Sequence, residues 1–430
     1  MPKRKVKVSA RKLSGALGAA RSRAARLRPY GRKLRAWVVA SVDACLRRSV
    51  VVCGRFSPRA ARALEPLAEW VGKTDARKLG TAAIAAALVL AIGSAFLHDY
   101  WRAAFSSQPP LAEDTRRAVR EKANQLAAAV EARLIAKGGL EGDAWTSAQI
   151  LVALRENSGG YASRADAKSI VQHFRSAAGP ECACWRKVPA GNFPSHVGVT
   201  SWALWAFACY GIPAHRTEIE FLLSAQGPEG GWPLFAGAEP KEFASSYATA
   251  AAILALHEQS AREQDPARRE RIAAAVNRGA DWLKRHAAVG RARWADYPDS
   301  PEGRRESLGL SGFVMFALHR AAVSGLAALD REWISELPDE TPALHADEAS
   351  GRKVWVGKRS YPDDTLYRAL PWTIVATTHA YSNASILGKV RAARWLERAL
   401  EPGAPVYALV GSEPDAALVA EALFALRGET

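Results

Sequence analysis

Cysteine is scarce. Five stand in 430 residues, at Cys45, Cys53, Cys182, Cys184 and Cys209. A small disulfide-stapled scaffold packs more cysteines into a shorter chain, so that class is excluded. Cys182-Ala-Cys184, even with His196 nearby in sequence, has no second cysteine pair to complete a structural zinc site. No metal or cofactor is therefore expected. Strand signals are also nearly missing beyond residue 112, which argues against sandwiches, barrels and doubly wound sheets. Positive charge, finally, is missing from most of the chain as a net quantity. The formal charge is +16, yet residues 1–79 hold 21 of the 59 Lys/Arg and only 4 of the 43 Asp/Glu. The other four-fifths is close to neutral, so a basic tail precedes an ordinary domain.

Charge is absent altogether from Gly80 to Leu97, "GTAAIAAALVLAIGSAFL". Eighteen uncharged residues just reach across a hydrocarbon core of roughly 30 Å. The long preceding segment argues against a cleaved signal peptide. Tyr100 and Trp101 follow at once and suit a membrane interface. The expected organisation is a cytoplasmic basic tail (1–79), a transmembrane helix (80–97), a linker (98–112) and a globular domain (113–430). The Lys/Arg bias places the N-terminus inside and the domain outside. In a bacterium that is the periplasm, with the anchor in the inner membrane. The tail suits anionic lipid headgroups, and it shows no chemistry for reading bases, so nucleic acid is not an expected partner.

Beyond the linker the chain reads as helices of two alternating kinds. Amphipathic helices are expected near 113–136, 163–177, 215–225, 267–287, 325–336 and 385–400. Helices apolar nearly all round are expected near 145–155, 199–211, 246–258, 307–320, 371–383 and 415–427. A helix apolar on every side must be buried. The pairs recur about every 50 residues, the mark of a repeat architecture. The last apolar helix runs to the end without a polar capping repeat. A closed ring removes that need, so the fold expected is all-α, an α6/α6 toroid with the apolar helices inside.

"FLLSAQGPEGGW" (221–232) ends the third outer helix. Its Phe221, Leu222, Gln226, Gly230 and Trp232 resemble the second half of the QW repeat of the squalene–hopene cyclase and protein prenyltransferase superfamily. The first half shows in "RGADWL", with Arg278, Gly279, Trp282 and Leu283, and again in "RAARWL", with Arg391, Trp395 and Leu396. The resemblance implies an α/α-toroid over residues 111–430. It also implies that Gln226 and Trp232 tie one hairpin to the next, away from any cavity.

In such a ring the inner-helix N-termini share one face and present unpaired N–H groups there. Residues that fall at this mouth include Asp143, Trp145, His196, Tyr247, Trp372 and Asp415. These are candidate binding residues for a lipid, glycan or protein ligand. As single residues, most are equally explained as helix caps or packing. The candidate catalytic pair is Asp363 and Asp364, in "SYPDDTLYRALPW". Class II terpene cyclases carry Asp-x-Asp-Asp-Thr at an inner-helix start. That resemblance makes Asp363 a general acid toward an alkene, although Tyr361 stands where the first acid belongs. Side-by-side carboxylates hold one proton between them. Three readings follow: a binding module with a degenerate motif, a periplasmic glycan hydrolase or lyase, and a terpenoid cyclase. Pro371 is expected to break the helix after this motif.

Alkaline phosphatase fused after Thr430 is expected to be active in an expressing bacterium. An inactive fusion at normal expression overturns the outside placement of the domain.

Overall fold

A computed structural model describes residues 100–102, 104–137, 144–156, 196–236, 243–301, 306–338, 353–356, 359–362, 369–404, 406–407 and 423–426. The chain divides between Asp99 and Tyr100, just inside the expected linker. The apolar run 80–97 lies outside the described residues, and no helix within them is long and apolar enough to cross a membrane.

Five outer helices are described: α1 (Glu113–Lys137), α4 (Arg216–Ala225), α6 (Pro266–His286), α8 (Ala327–Ser335) and α10 (Ile386–Leu400). Five inner helices alternate with them: α2 (Ala144–Glu156), α3 (Val197–Cys209), α5 (Ser246–Ser260), α7 (Leu308–Arg320) and α9 (Ala369–Ala380). Each matches an expected helix to within a few residues. The outer helix expected at 163–177 lies outside the described residues, as does all of 415–427 except 423–426. The composition dictates the layering. In α3 all twelve residues from Val197 to Ala208 are buried. In α6 only Ile272, Ala275, Val276, Gly279, Ala280, Trp282 and Leu283 are, a stripe at helical spacing. Consecutive inner helices pack side by side from α2 through α9.

The two ends of the array meet. Helix α1 packs on α10, and Glu397 receives the Ala112 amide at 3.0 Å and the Thr115 hydroxyl. The expected linker is thus partly a strap: Leu111 is buried, and Lys389 Nζ donates to the Ser106 carbonyl at 3.1 Å.

Three short antiparallel ladders join outer to inner helices. They are β1 (Trp232–Pro233) with β2 (Ala244–Ser245), β3 (Trp294–Ala295) with β4 (Glu306–Ser307), and β5 (Lys353–Val356) with β6 (Arg359–Pro362). Tyr361 therefore lies in a strand. Pro371 does not break its helix: α9 begins at Ala369, so the proline sits in the first turn, where the missing N–H has no intrahelical partner to lose.

The glutamine-tryptophan seam works through named bonds. Gln226 Nε2 donates to the carbonyls of Gly230 (2.8 Å) and Ala275 (2.9 Å), while Arg278 donates to its Oε1. Ala275 and Arg278 belong to the next outer helix. Trp232 is fully buried; its indole donates to Leu222 O at 2.7 Å and its backbone amide to Thr249 Oγ1 at 2.9 Å. The following repeat copies this. Trp294 donates to Leu283 O at 2.7 Å and, through its amide, to Ser311 Oγ at 2.9 Å. Arg391 in turn caps the carbonyls of Ser335 (2.9 Å) and Leu337 (2.6 Å) at the end of α8. Glycine is required where backbones close: a Cβ on Gly279 would lie 2.6 Å from the Trp232 ring. Gly230, at φ +102°, would put one 2.5 Å from Arg278 O.

Gln226→Ala strips a partner from the carbonyls of two buried residues, Gly230 and Ala275, and is expected to cost about 1–2 kcal/mol, seen as a lowered melting temperature. Gly279→Ala overpacks the same seam and is expected to cost about 1–3 kcal/mol. Unchanged melting in both variants would remove the seam from the list of what holds the ring.

Candidate functional site

The mouth is built by the ladders. The residue two after each seam tryptophan crosses to the N-terminus of the preceding inner helix. Leu234 O accepts from Val197 N at 2.9 Å, and Asp296 O accepts from Ser246 N at 2.7 Å. His196, Ser245 and Ser307 then cap α3, α5 and α7 with their side chains. His196 Nδ1 accepts the Val199 amide at 3.2 Å, which leaves Nε2 to carry the proton of the neutral ring. Its buried ring sits 4.6 Å from Phe235 and 5.1 Å from Trp145. Gly198 makes room, since a Cβ there would lie 3.1 Å from the imidazole.

Tyr247 is the polar hub. Its hydroxyl oxygen accepts from Trp202 Nε1 (2.8 Å), Trp145 Nε1 (2.9 Å) and Gln149 Nε2 (3.2 Å). One phenol oxygen thereby joins α2, α3 and α5. The sequence-expected residues Trp145, His196 and Tyr247 are thus brought into one cluster. Trp372 joins it through Phe313, which stacks on Tyr247 at 5.0 Å and meets Trp372 edge-on at 4.9 Å. Asp143, Asp363, Asp364 and Asp415 lie outside the described residues.

One acid at the mouth was not anticipated. The half-buried Asp296 accepts from Ser245 Oγ at 2.7 Å and from Tyr247 N at 3.1 Å through Oδ1. A carboxylate here faces the positive end of α5. Aligning "WPLF" with "WADY" on their tryptophans would have found it, because Asp296 then takes the crossing position of Leu234.

Below the mouth, buried aromatic rings from the described inner helices meet one another. Helices α3 and α7 are separated around the ring by α5, so contacts between their side chains cross its middle. Trp202 stacks on Phe313 at 5.7 Å and Trp205 meets Phe316 at 5.9 Å. Phe424 closes against Trp205 (5.8 Å) and Trp372 (5.5 Å). All six of these rings are buried. At the opposite end His319 Nε2 meets Asp330 at 2.7 Å, and Asn383 donates to the second oxygen of that carboxylate at 2.7 Å. His379 stacks on His319, and burial, with the neighbouring His319 and Arg320, pushes its pKa down to about 4. His379 is therefore neutral at pH 7 and works as packing. No cluster of His, Cys, Asp and Glu among the described residues has the form of a metal site.

No protein-family model matches this sequence, and no curated protein matches it. Solved structures do resemble its fold. One is an inactive variant of the α-1,6-mannanase GH76A of Salegentibacter sp. HEL1_6, with asparagine for aspartate at two adjacent positions, in complex with α-1,6-mannotriose. It is 13% identical, covers 72% of this chain and 98% of that one, and has a TM-score of 0.51. Another is a point variant of the type II terpene cyclase MstE from Scytonema in complex with geranylgeranyl dihydroxybenzoate. It is 11% identical, covers 74% of this chain and 99% of that one, and has a TM-score of 0.43. With the helical layering above, the domain has the α/α-toroid fold.

Tyr247→Phe leaves the indole of Trp202 and the groups from α2 without their shared acceptor. The expected cost is about 1–3 kcal/mol, with a shift in tryptophan emission. A variant as stable as the parent, with unchanged emission, would mean the hub does not hold the mouth together.

Proposed function

We propose that this chain is a membrane-anchored α/α-toroid binding module that takes a glycan at the ring mouth. The anchor is the run from Gly80 to Leu97, and the ring faces the periplasm. The aromatic packing among the described inner helices carries the reading. A cyclase substrate needs an apolar chamber between the inner helices, and among the described residues that space holds Trp202, Trp205, Phe313, Phe316, Trp372 and Phe424. Ligand contact therefore falls to the mouth, where Trp145, Phe235 and Tyr247 are half-buried and present ring edges and faces. Half-exposed aromatics beside fixed polar groups suit the apolar face and hydroxyl rim of a sugar.

A second reading has its own support. The mannanase variant is described as inactive and has two adjacent aspartates replaced. This chain has one Asp-Asp pair, Asp363-Asp364, five residues before α9 begins. In a glycan-cleaving toroid, paired carboxylates supply the acid and the base or nucleophile. That reading makes the same mouth catalytic. The cyclase role for Asp363 is not carried forward.

α-1,6-Mannotriose titrated into the detergent-solubilised full chain separates the readings. A saturable binding heat is expected, at least tenfold weaker in Trp145→Ala, with no shortened sugar in the mixture. Shortened product that disappears in the Asp363→Asn, Asp364→Asn double variant would replace binding with hydrolysis. Absence of both heat and product would rule out this glycan as the ligand.

A further inference from the structure

We infer that one corner of the ring, formed by residues 100–102, 104 and 105 and the first turn of α10, seats on an anionic bilayer surface. The inference rests on the membrane anchoring proposed above. Among the described residues, six large apolar side chains are exposed, and four belong to this corner. They are Trp101 (37% exposed), Phe105 (77%), Ile386 (39%) and Leu387 (67%). The two segments are adjacent because Lys389 of α10 donates to the carbonyl of Ser106, 3.1 Å away. Trp101 and Phe105 stack on each other with ring centroids 5.4 Å apart and planes 3° from parallel, a flat aromatic slab. Beside Leu387, a groove of about 470 Å³ runs between α8 and α10.

Two observations select lipid as the occupant. The first is where the chain comes from: only His98 and Asp99 separate Tyr100 from the uncharged run that ends at Leu97. Along the chain, the corner therefore begins three residues after the end of the proposed membrane span. The second is charge. The outward face of α10 continues from Leu387 through Arg391, whose guanidinium also caps α8, to the exposed Arg394 and Arg398. An apolar tip followed by an arginine stripe is the pattern of a helix lying at a lipid interface, with apolar groups among acyl chains and guanidinium groups at phosphates. A flat aromatic pair belongs at the same depth.

The test uses the full chain with its native cysteines replaced by serine. A nitroxide is attached at Leu387→Cys, at Phe105→Cys, or at the control Val289→Cys, a position 99% exposed away from the corner. The chain is reconstituted in vesicles of phosphatidylcholine with phosphatidylglycerol. The labels at 387 and 105 are expected to be more accessible to oxygen than to aqueous nickel chelate, with the control label reversed. In phosphatidylcholine alone the two corner labels should move toward the aqueous response. Corner labels matching the control, in a chain that resists alkaline carbonate extraction, overturn the seat and leave the anchor. Extraction of the chain by carbonate overturns the anchor, while the labels still decide the seat. Equal lipid exposure without phosphatidylglycerol overturns the anionic preference.

Discussion

A helix that is apolar on every side is stable only where every side is covered. That constraint organises this domain. Five described inner helices of this kind stand next to one another, and an open row would leave the first and last with a bare flank. The outer helices cover one side, neighbouring inner helices cover two, and aromatic rings crossing the axis cover the fourth. Closing the row onto itself removes the bare flanks. Among the described residues the outer row meets end to end through a long-range clasp, in which Glu397 of α10 accepts from the segment entering α1, some 280 residues earlier. The clasp has modest energy as hydrogen bonds go. Its importance lies in what it lets the inner helices bury.

The seams meet the same constraint locally. Each seam tryptophan, just past the end of an outer helix, fills the wedge between two hairpins and spends its indole N–H on a carbonyl in that helix, ten or eleven residues behind it. The wedge is so tight that Gly279 and Gly231 are the residues facing Trp232 and Trp282. Large rings facing missing side chains pack to the density of an interior without strain. Arginines on the next outer helix cap the preceding one, so each hairpin finishes the helix that the previous hairpin left open. A repeat fold of this kind is held by nearest-neighbour terms, and the seam is that term in molecular detail.

Much of the layering was legible in the sequence because it is written as periodicity and composition. "TSWALWAFACYG" has no polar face, and "RGADWLKRH" has one, so inner and outer assignments followed directly. The Gln226 stitch was legible because its partners lie at fixed offsets within repeats. The ladders were not legible. β1 and β3 are two residues long, too short for any alternation, and they exist because the chain must cross from one helix layer to the other at the mouth. Pro371 was misread for a related reason: whether proline breaks a helix depends on which turn it occupies, and only the start at Ala369 decides that. At the site, His196, Trp145 and Tyr247 could be grouped from topology alone. Asp296 was missed because it precedes no inner helix of its own hairpin; it reaches back across the seam to cap α5.

The mouth residues carry a double duty that bears on function. His196, Asp296 and Tyr247 are each held by backbone amides or indole N–H groups that the fold itself needs paired. A polar group fixed by such bonds cannot swing aside or reorganise when a ligand arrives. Binding at a surface of this kind would forfeit little side-chain entropy, so weak individual contacts with the glycan proposed above would add up more fully than on a mobile loop. The same fixity discourages chemistry by these three residues: a histidine whose Nδ1 caps a helix and whose ring is wedged between Phe235 and Trp145 has little scope to shuttle a proton. The described part of the mouth is therefore held in place by the fold's own bonds, which suits the binding role proposed above, and the acid-base work of the alternative reading would fall to carboxylates that the fold does not spend on caps.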